Sequence, residues 1–317
     1  MKCRLFLLMA LCVVTTANAA DYPAKPITLI HGFGVGGNAD SVARVIASEM
    51  EKRLGQPVVV ESRTGAGGTI ASAFVAKAPA DGYTLIMLTG GHTASAAMRK
   101  SLPYDSVADF APISTVTTFP FVVAVSAVSP IRTLKDLVRT ARSRPNAVTF
   151  SSVGVGSTQH LTGELLSSAA GARMLHVPYR GGGAPVMSVI AGEVDVLVDT
   201  ATVAGPQIAA GKLRALAVTS ARSWPQTPGV PTVNRTLPGF EVMSWLGLAA
   251  PAKTPPAIVA RLNATLGQIT QDAAVQRTLR TMGSEPAHVS PEAMRSKVEQ
   301  DIKQWKQVVQ EAHIPQQ

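Results

Sequence analysis

Apolar residues fall along this chain in two kinds of block, and the two kinds alternate. Short runs such as Ile27–Ile30, Val58–Glu61 and Thr84–Leu88 predict strands. Between them apolar positions recur at helical spacing. Ala39 to Leu54 reads as an amphipathic helix, closed by Gly55 with Pro57 just beyond, and Thr69 to Lys77 as a second helix. Gly65-Ala-Gly-Gly and Asp81-Gly82 supply the turns. Strands separated by helices imply a parallel sheet covered on both faces.

The pattern changes at Phe110–Val125, which is rich in β-branched residues and carries no charge; it predicts one or two strands crossing between lobes. A second alternating series follows: helix Thr133–Arg142, strand Val148–Ser151, helix Leu161–Ala170, strand Leu175–Val177, helix Ala184–Ala191, strand Val194–Val198, short helix Gly205–Ala210 and strand Leu213–Val218. Residues 224–240 are dense in proline. Strand Glu241–Ala249 and helices Pro256–Gln271, Ala273–Thr281 and Pro291–His313 complete the chain. The expected organisation is an α/β fold of two lobes: residues 21–120 and 236–317 in the first, 121–235 in the second, with hinges at Pro120–Val125 and near Thr232–Gly239.

Each lobe carries a strand, a glycine-rich polar loop and a helix. The first loop is "GFGVGGNAD" and the second "SSVGVGSTQH". In open parallel sheets ligands bind beyond the carboxyl ends of the strands, so two such loops facing each other would line one cleft. The first loop also spells Gly32-x-Gly34-x-x-Gly37, with the acidic Glu61 on the next strand, as in dinucleotide-binding turns. That pattern alone is weak, and a nicotinamide enzyme needs a general acid or base that is not evident in the second lobe. His31-Gly32-Phe33-Gly34 resembles an esterase oxyanion loop, but no Gly-x-Ser-x-Gly nucleophile turn occurs anywhere in the chain. The six histidines are dispersed without metal-ligand spacing. What remains is anion capture by backbone. A helix start offers unpaired N–H groups and partial positive charge, and glycine lets that backbone approach a ligand. Gly36-Gly37-Asn38 before one helix and Gly156-Ser157-Thr158 before another fit this description.

Composition narrows the setting. The 317 residues are ample for two lobes, and 15% charged residues mark a globular chain. Lys2 and Arg4, the apolar run Leu5–Val14 and Ala17-Asn18-Ala19 read as a secretory signal peptide over residues 1–20. Both cysteines, Cys3 and Cys12, lie inside it, so a mature chain would have neither disulfides nor thiolate chemistry. Two of the nine net positive charges, on Lys2 and Arg4, belong to the leader. The remaining basic residues are scattered without aromatic interleaving, which argues against nucleic-acid binding; a basic surface still draws small anions toward a cleft.

Several stretches resemble a known family: "GGNADSVAR" (36–44), "LGQPVVVESRTGAGG" (54–68), "LPYDSVADFAPIS" (102–114), "SSVGVGSTQHLTGELL" (151–166) and "HVPYRGGGAPVMSVIAGEVD" (176–195). Together they are similar to the solute-binding proteins of tripartite tricarboxylate transporters, the Bug family, over nearly the whole mature chain. The resemblance implies a periplasmic two-lobe binding protein of type II-like fold, monomeric, without catalysis or cofactor, closing on a small carboxylate. The implied partner is a membrane permease, or alternatively a sensor kinase. It places Gly36, Gly37, Asn38 and Asp40 on the first half of the ligand site and Gly156, Ser157, Thr158 and His160 on the second, with the Ser157 hydroxyl donating to the carboxylate. Thr89 and Asp199 follow strands at the cleft mouth. For Thr89 a capping role stands beside ligand contact, and Asp199 either grips an amino group or holds a loop. Val35 stands where the family usually has proline, Asn38 where serine, glycine or proline is usual, and Ser62 and Thr64 alter the common Glu-Asn-Arg-Pro-Gly stretch. These departures bear on the distal part of the site.

Overall fold

The computed structural model describes residues 22–316. The expected signal peptide, residues 1–20, lies outside them. Strands β1 (Ile27–His31), β2 (Val58–Ser62) and β3 (Thr84–Thr89) are parallel and ordered β2-β1-β3. Helices α1 (Asn38–Leu54) and α2 (Thr69–Ala76) connect them. The α1 stripe Val42, Ala43, Ile46, Ala47 and Met50 is buried at helical spacing. At its end Gly55 takes a left-handed φ of 72° and donates its N–H to the Glu51 carbonyl, a stop that favours glycine.

The second half repeats this plan. Strands β5 (Thr149–Ser152), β6 (Leu175–Pro178) and β7 (Val196–Thr200) are parallel in the order β6-β5-β7. They are linked by α5 (Thr158–Ala169) and α6 (Ala184–Ile190). Helix α4 (Leu134–Ser143) precedes β5 and opens with a reciprocal cap between Thr133 and Asp136. Helix α7 (Ala201–Ala209) leads from β7 to β8 (Leu213–Val218).

A single 17-residue strand, β4 (Phe110–Ser126), joins the halves. Up to Pro120 it pairs antiparallel with β9 (Met243–Pro251), which lies beside β3; from Phe121 onward it pairs with β7 and β8. Thr219 ties this crossing to the returning chain. Its hydroxyl donates to the Val242 carbonyl at 2.7 Å and accepts the Phe121 N–H at 2.8 Å. Val242 in turn donates its N–H to the Thr219 carbonyl at 2.8 Å. The return therefore runs through Val242 and not through a hinge strand at Thr232–Gly239. That segment forms a single 3-10 turn, Val233–Arg235. An isolated bridge joins Thr232 to Val218, whose N–H donates to the Pro231 carbonyl at 2.9 Å, and Pro228, Pro231 and Pro238 withhold backbone donors from any longer ladder there.

Helix α8 (Pro256–Gln271) packs on α1 and β4, followed by α9 (Ala273–Thr281). The short β10 (Glu285–Pro286) pairs with β4, and α10 (Pro291–Glu311) packs on α3 (Gly90–Met98) and β4. No helix among the described residues is long and apolar enough to cross a membrane.

Candidate functional site

The two glycine loops superpose in sequence and in bonding. Gly34-Val-Gly-Gly-Asn-Ala-Asp40 matches Gly154-Val-Gly-Ser-Thr-Gln-His160. Gly36 and Gly156 both take left-handed backbone, at φ 79° and 83°. The next residue caps the helix in extended conformation in both loops, Gly37 before α1 and Ser157 before α5. Each cap donates its N–H back across the loop, Gly37 to the Gly34 carbonyl at 3.3 Å and Ser157 to that of Gly154 at 3.1 Å. The residue at the seventh position then takes the N–H of the left-handed glycine: Asp40 Oδ2 from Gly36 at 2.9 Å, and His160 Nδ1 from Gly156 at 3.3 Å.

Asp40 is buried and ties down more than the loop. It accepts from Arg44 at 3.2 and 2.9 Å and meets His31 Nε2 at 3.2 Å. Burial alone would raise its pKa, but the bonds from Arg44 and Gly36 outweigh that and hold the carboxyl below its ordinary value. Burial keeps His31 on the neutral side, against the pull of Asp40. In the second half His160 stacks on His176 with ring centroids 3.8 Å apart. Burial, then the neighbouring His160, push His176 down to about 3, and its Nε2 lies 2.6 Å from the Ser152 hydroxyl.

Between the loops lies a cavity. The first residues of both helices line it, Asn38 and Ala39 from α1 with Thr158 and Gln159 from α5. Among the described residues no hydrogen bond occupies the main-chain N–H groups of these four. Two helix ends, 17 and 12 residues long, thus aim free donors and the positive ends of their dipoles into one space.

Of the ten residues expected at the site, Gly37, Asn38, Thr89, Thr158 and Asp199 line this cavity. The other five stand behind it. Gly36, Asp40, Gly156 and His160 shape the two loops as described. The Ser157 hydroxyl is spent within the chain, donating to the Gly154 carbonyl at 2.7 Å and accepting the His160 N–H at 3.2 Å, so it is a cap and not a lining donor. Thr89 both lines the cavity and caps α3, accepting from Gly91 at 3.0 Å. Asp199 is 3% exposed; burial raises its pKa to about 6, although the Thr200 N–H and the Gln159 amide donate to it at 2.8 and 3.3 Å.

The lining also includes Phe33, Phe119, Phe121, Val153, Ser244 and Leu246, which the sequence reading does not single out. Four of these sit on β4 and β9. Strands that cross between lobes form the floor of any cleft between them, and that was the available signal.

The halves meet around the cavity through backbone. Gly34 donates its N–H to the Arg180 carbonyl at 3.1 Å, and Gly34 bridges Gly181. A Cβ on Gly34 would fall 2.8 Å from the Gly181 carbonyl carbon. Of the glycines that spell a dinucleotide turn, Gly34 and Gly37 therefore serve a close approach of the opposite lobe, whereas Gly32 lies against Gly68 of its own lobe. Further contacts are Ser95 Oγ to the Gly156 carbonyl at 2.9 Å and the Thr202 hydroxyl beside Asn38 Oδ1 at 2.7 Å.

Comparison with known proteins decides the family. Residues 42–314 match the model of the tripartite tricarboxylate transporter family receptor. The chain belongs to that receptor family. A relative from Pseudomonas sp. strain P51, described as a UPF0065 protein in the tcbD-tcbE intergenic region, is 37% identical over 96% of this chain and 93% of its own. Among solved structures, that of R. palustris Rpa4515 with adipate is 35% identical, with a TM-score of 0.90 over 93% of this chain and 99% of that one. The periplasmic binding protein BugD is 32% identical with a TM-score of 0.89, covering 93% of this chain and 100% of that one. This receptor thus shares the α/β fold and two-lobed cleft of periplasmic solute-binding proteins.

Proposed function

We propose that the chain is a periplasmic receptor that closes on a small carboxylate and hands it to the membrane permease of a tripartite transporter, without chemistry on the ligand. One observation carries this reading. Two helix ends with unoccupied main-chain donors converge on a single cavity between lobes. Such ends favour an anion of carboxylate size. Because each lobe supplies one, an anion bound to both stabilises the closed state over the open one. A relative of the same fold, solved with adipate, supports the same chemistry.

A thermal-shift screen of the mature protein tests it, with small carboxylates against their neutral amides and NADH. A carboxylate at 100 times its dissociation constant should add about 2.7 kcal/mol to stability and raise Tm, while its amide does not. Equal shifts from acids and amides would remove the helix ends from recognition.

A further inference from the structure

The cavity walls carry information about the rest of the ligand. Away from the two helix ends Phe33, Phe119, Phe121, Val153 and Leu246 form apolar walls, interrupted by the hydroxyls of Thr89, Thr200 and Ser244 and by the Asp199 carboxylate. Phe119 and Phe121 stand two residues apart on β4, their rings 6.0 Å apart and nearly perpendicular, an edge-to-face pair forming one wall. Among the described residues that line the cavity none is Lys, Arg or His. Two cations near the loops are committed elsewhere. Arg44 is held by Asp40, and Arg99 donates to the main-chain carbonyls of Ala66 and Val155. The one ionisable side chain on the lining is Asp199, a carboxylate that no cation pairs.

From this arrangement, and resting on the reading of the helix ends as the seat of one carboxylate, we propose that the cavity selects monocarboxylates with an apolar body, aromatic or aliphatic, and discriminates against dicarboxylates. A second carboxylate entering this space would lose its hydration, meet no fixed positive charge and face Asp199. The lining hydroxyls of Thr89, Thr158, Thr200 and Ser244 supply at most one neutral donor each and no positive charge to offset that of a second carboxylate. An apolar tail instead covers the phenylalanine wall and is driven there by the area it removes from water. This sets the chain apart from the relative solved with adipate, whose ligand bears a carboxylate at each end.

The decisive comparison is hexanoate against adipate, six-carbon chains that differ by exchange of a terminal methyl for a carboxylate, with 3-phenylpropionate as an aromatic probe. Titration calorimetry of the mature protein at pH 7.5 should give hexanoate and 3-phenylpropionate dissociation constants at least tenfold below that of adipate. Adipate binding as tightly as hexanoate would overturn the proposal while leaving the carboxylate seat intact. Failure of all three acids to bind would overturn both. A second measurement isolates the charge. Asp199→Asn keeps an acceptor for Thr200 and Gln159, and it should strengthen adipate at least fivefold while leaving hexanoate within twofold. Equal changes for both acids would show that the Asp199 charge plays no part in the discrimination.

Discussion

Asp40 shows how a residue can hold a loop beside the cavity without lining the cavity itself. Its carboxylate gathers the Gly36 N–H, the Arg44 guanidinium and the His31 ring, which fixes the left-handed turn and so aims the α1 end into the cavity. Asp40→Asn replaces one acceptor oxygen by a donor facing donors. It should destabilise the protein by about 1–3 kcal/mol at pH 7, read from urea unfolding midpoints. The pH dependence gives the charge a separate signature. The folded state holds this carboxyl below its unfolded pKa of about 3.9, so its stabilisation is complete above that value and fades as pH falls through the folded pKa. Wild type and Asp40→Asn should therefore converge in stability as pH is lowered from 7 toward 3. A gap that stays constant with pH would assign the loss to packing and not to charge.

At the scale of elements, the strand–loop–helix unit was readable because its signals are local. Apolar runs, helical spacing, Gly55 and the paired glycine loops each act within a few residues. Helix α3 was not readable, and its surroundings explain why. Gly90, Gly91, His92, Thr93, Ala94, Ser95, Ala97 and Met98 are all buried, so no polar face marks a period, and two glycines at its start resemble a turn. The role of Ser157 was missed for a different reason: a hydroxyl before a helix reads the same whether it faces a ligand or caps the backbone. The paired loops also differ in a testable way. A Cβ on Gly36 meets nothing within 4 Å, whereas one on Gly156 falls 2.8 Å from Ser95 Oγ. Gly36→Ala should cost only the strain of its left-handed backbone, about 1–2 kcal/mol. Gly156→Ala should cost that and also disturb the Ser95 contact to the Gly156 carbonyl across the cleft. Thermal melts with and without ligand separate the two, because only Gly156→Ala should reduce the ligand-dependent rise in Tm beyond what the strain on its own loop explains. Equal losses in both variants would mean that the Ser95 contact contributes nothing to closure.

For the molecule as a whole the question is what lets two lobes built on one sheet plan come together. The answer lies in the absence of side chains along a seam. Gly34 lies against Gly181 and Gly182, with backbone bonding backbone across the cleft. A methyl group on Gly34 would sit 2.8 Å from the Gly181 carbonyl carbon and the Gly182 nitrogen, atoms that cannot swing aside as a flexible side chain would. Unlike Gly36, Gly34 has ordinary backbone angles, so alanine there carries no left-handed strain. The obstruction comes from the approach of the opposite lobe and not from the Gly34 loop itself. Gly34→Ala should therefore melt close to the wild-type temperature without ligand, and lose both the ligand-induced rise in Tm and the ligand-induced contraction seen by small-angle X-ray scattering. A variant that still contracts on adding a bound acid would show that the seam yields by rearrangement and that closure is set elsewhere, with Thr219 and its grip on Phe121 and Val242 next in line. A large fall in Tm of the ligand-free protein would instead mean that the seam is already made before ligand arrives, so that binding selects among closed molecules and does not drive their closing.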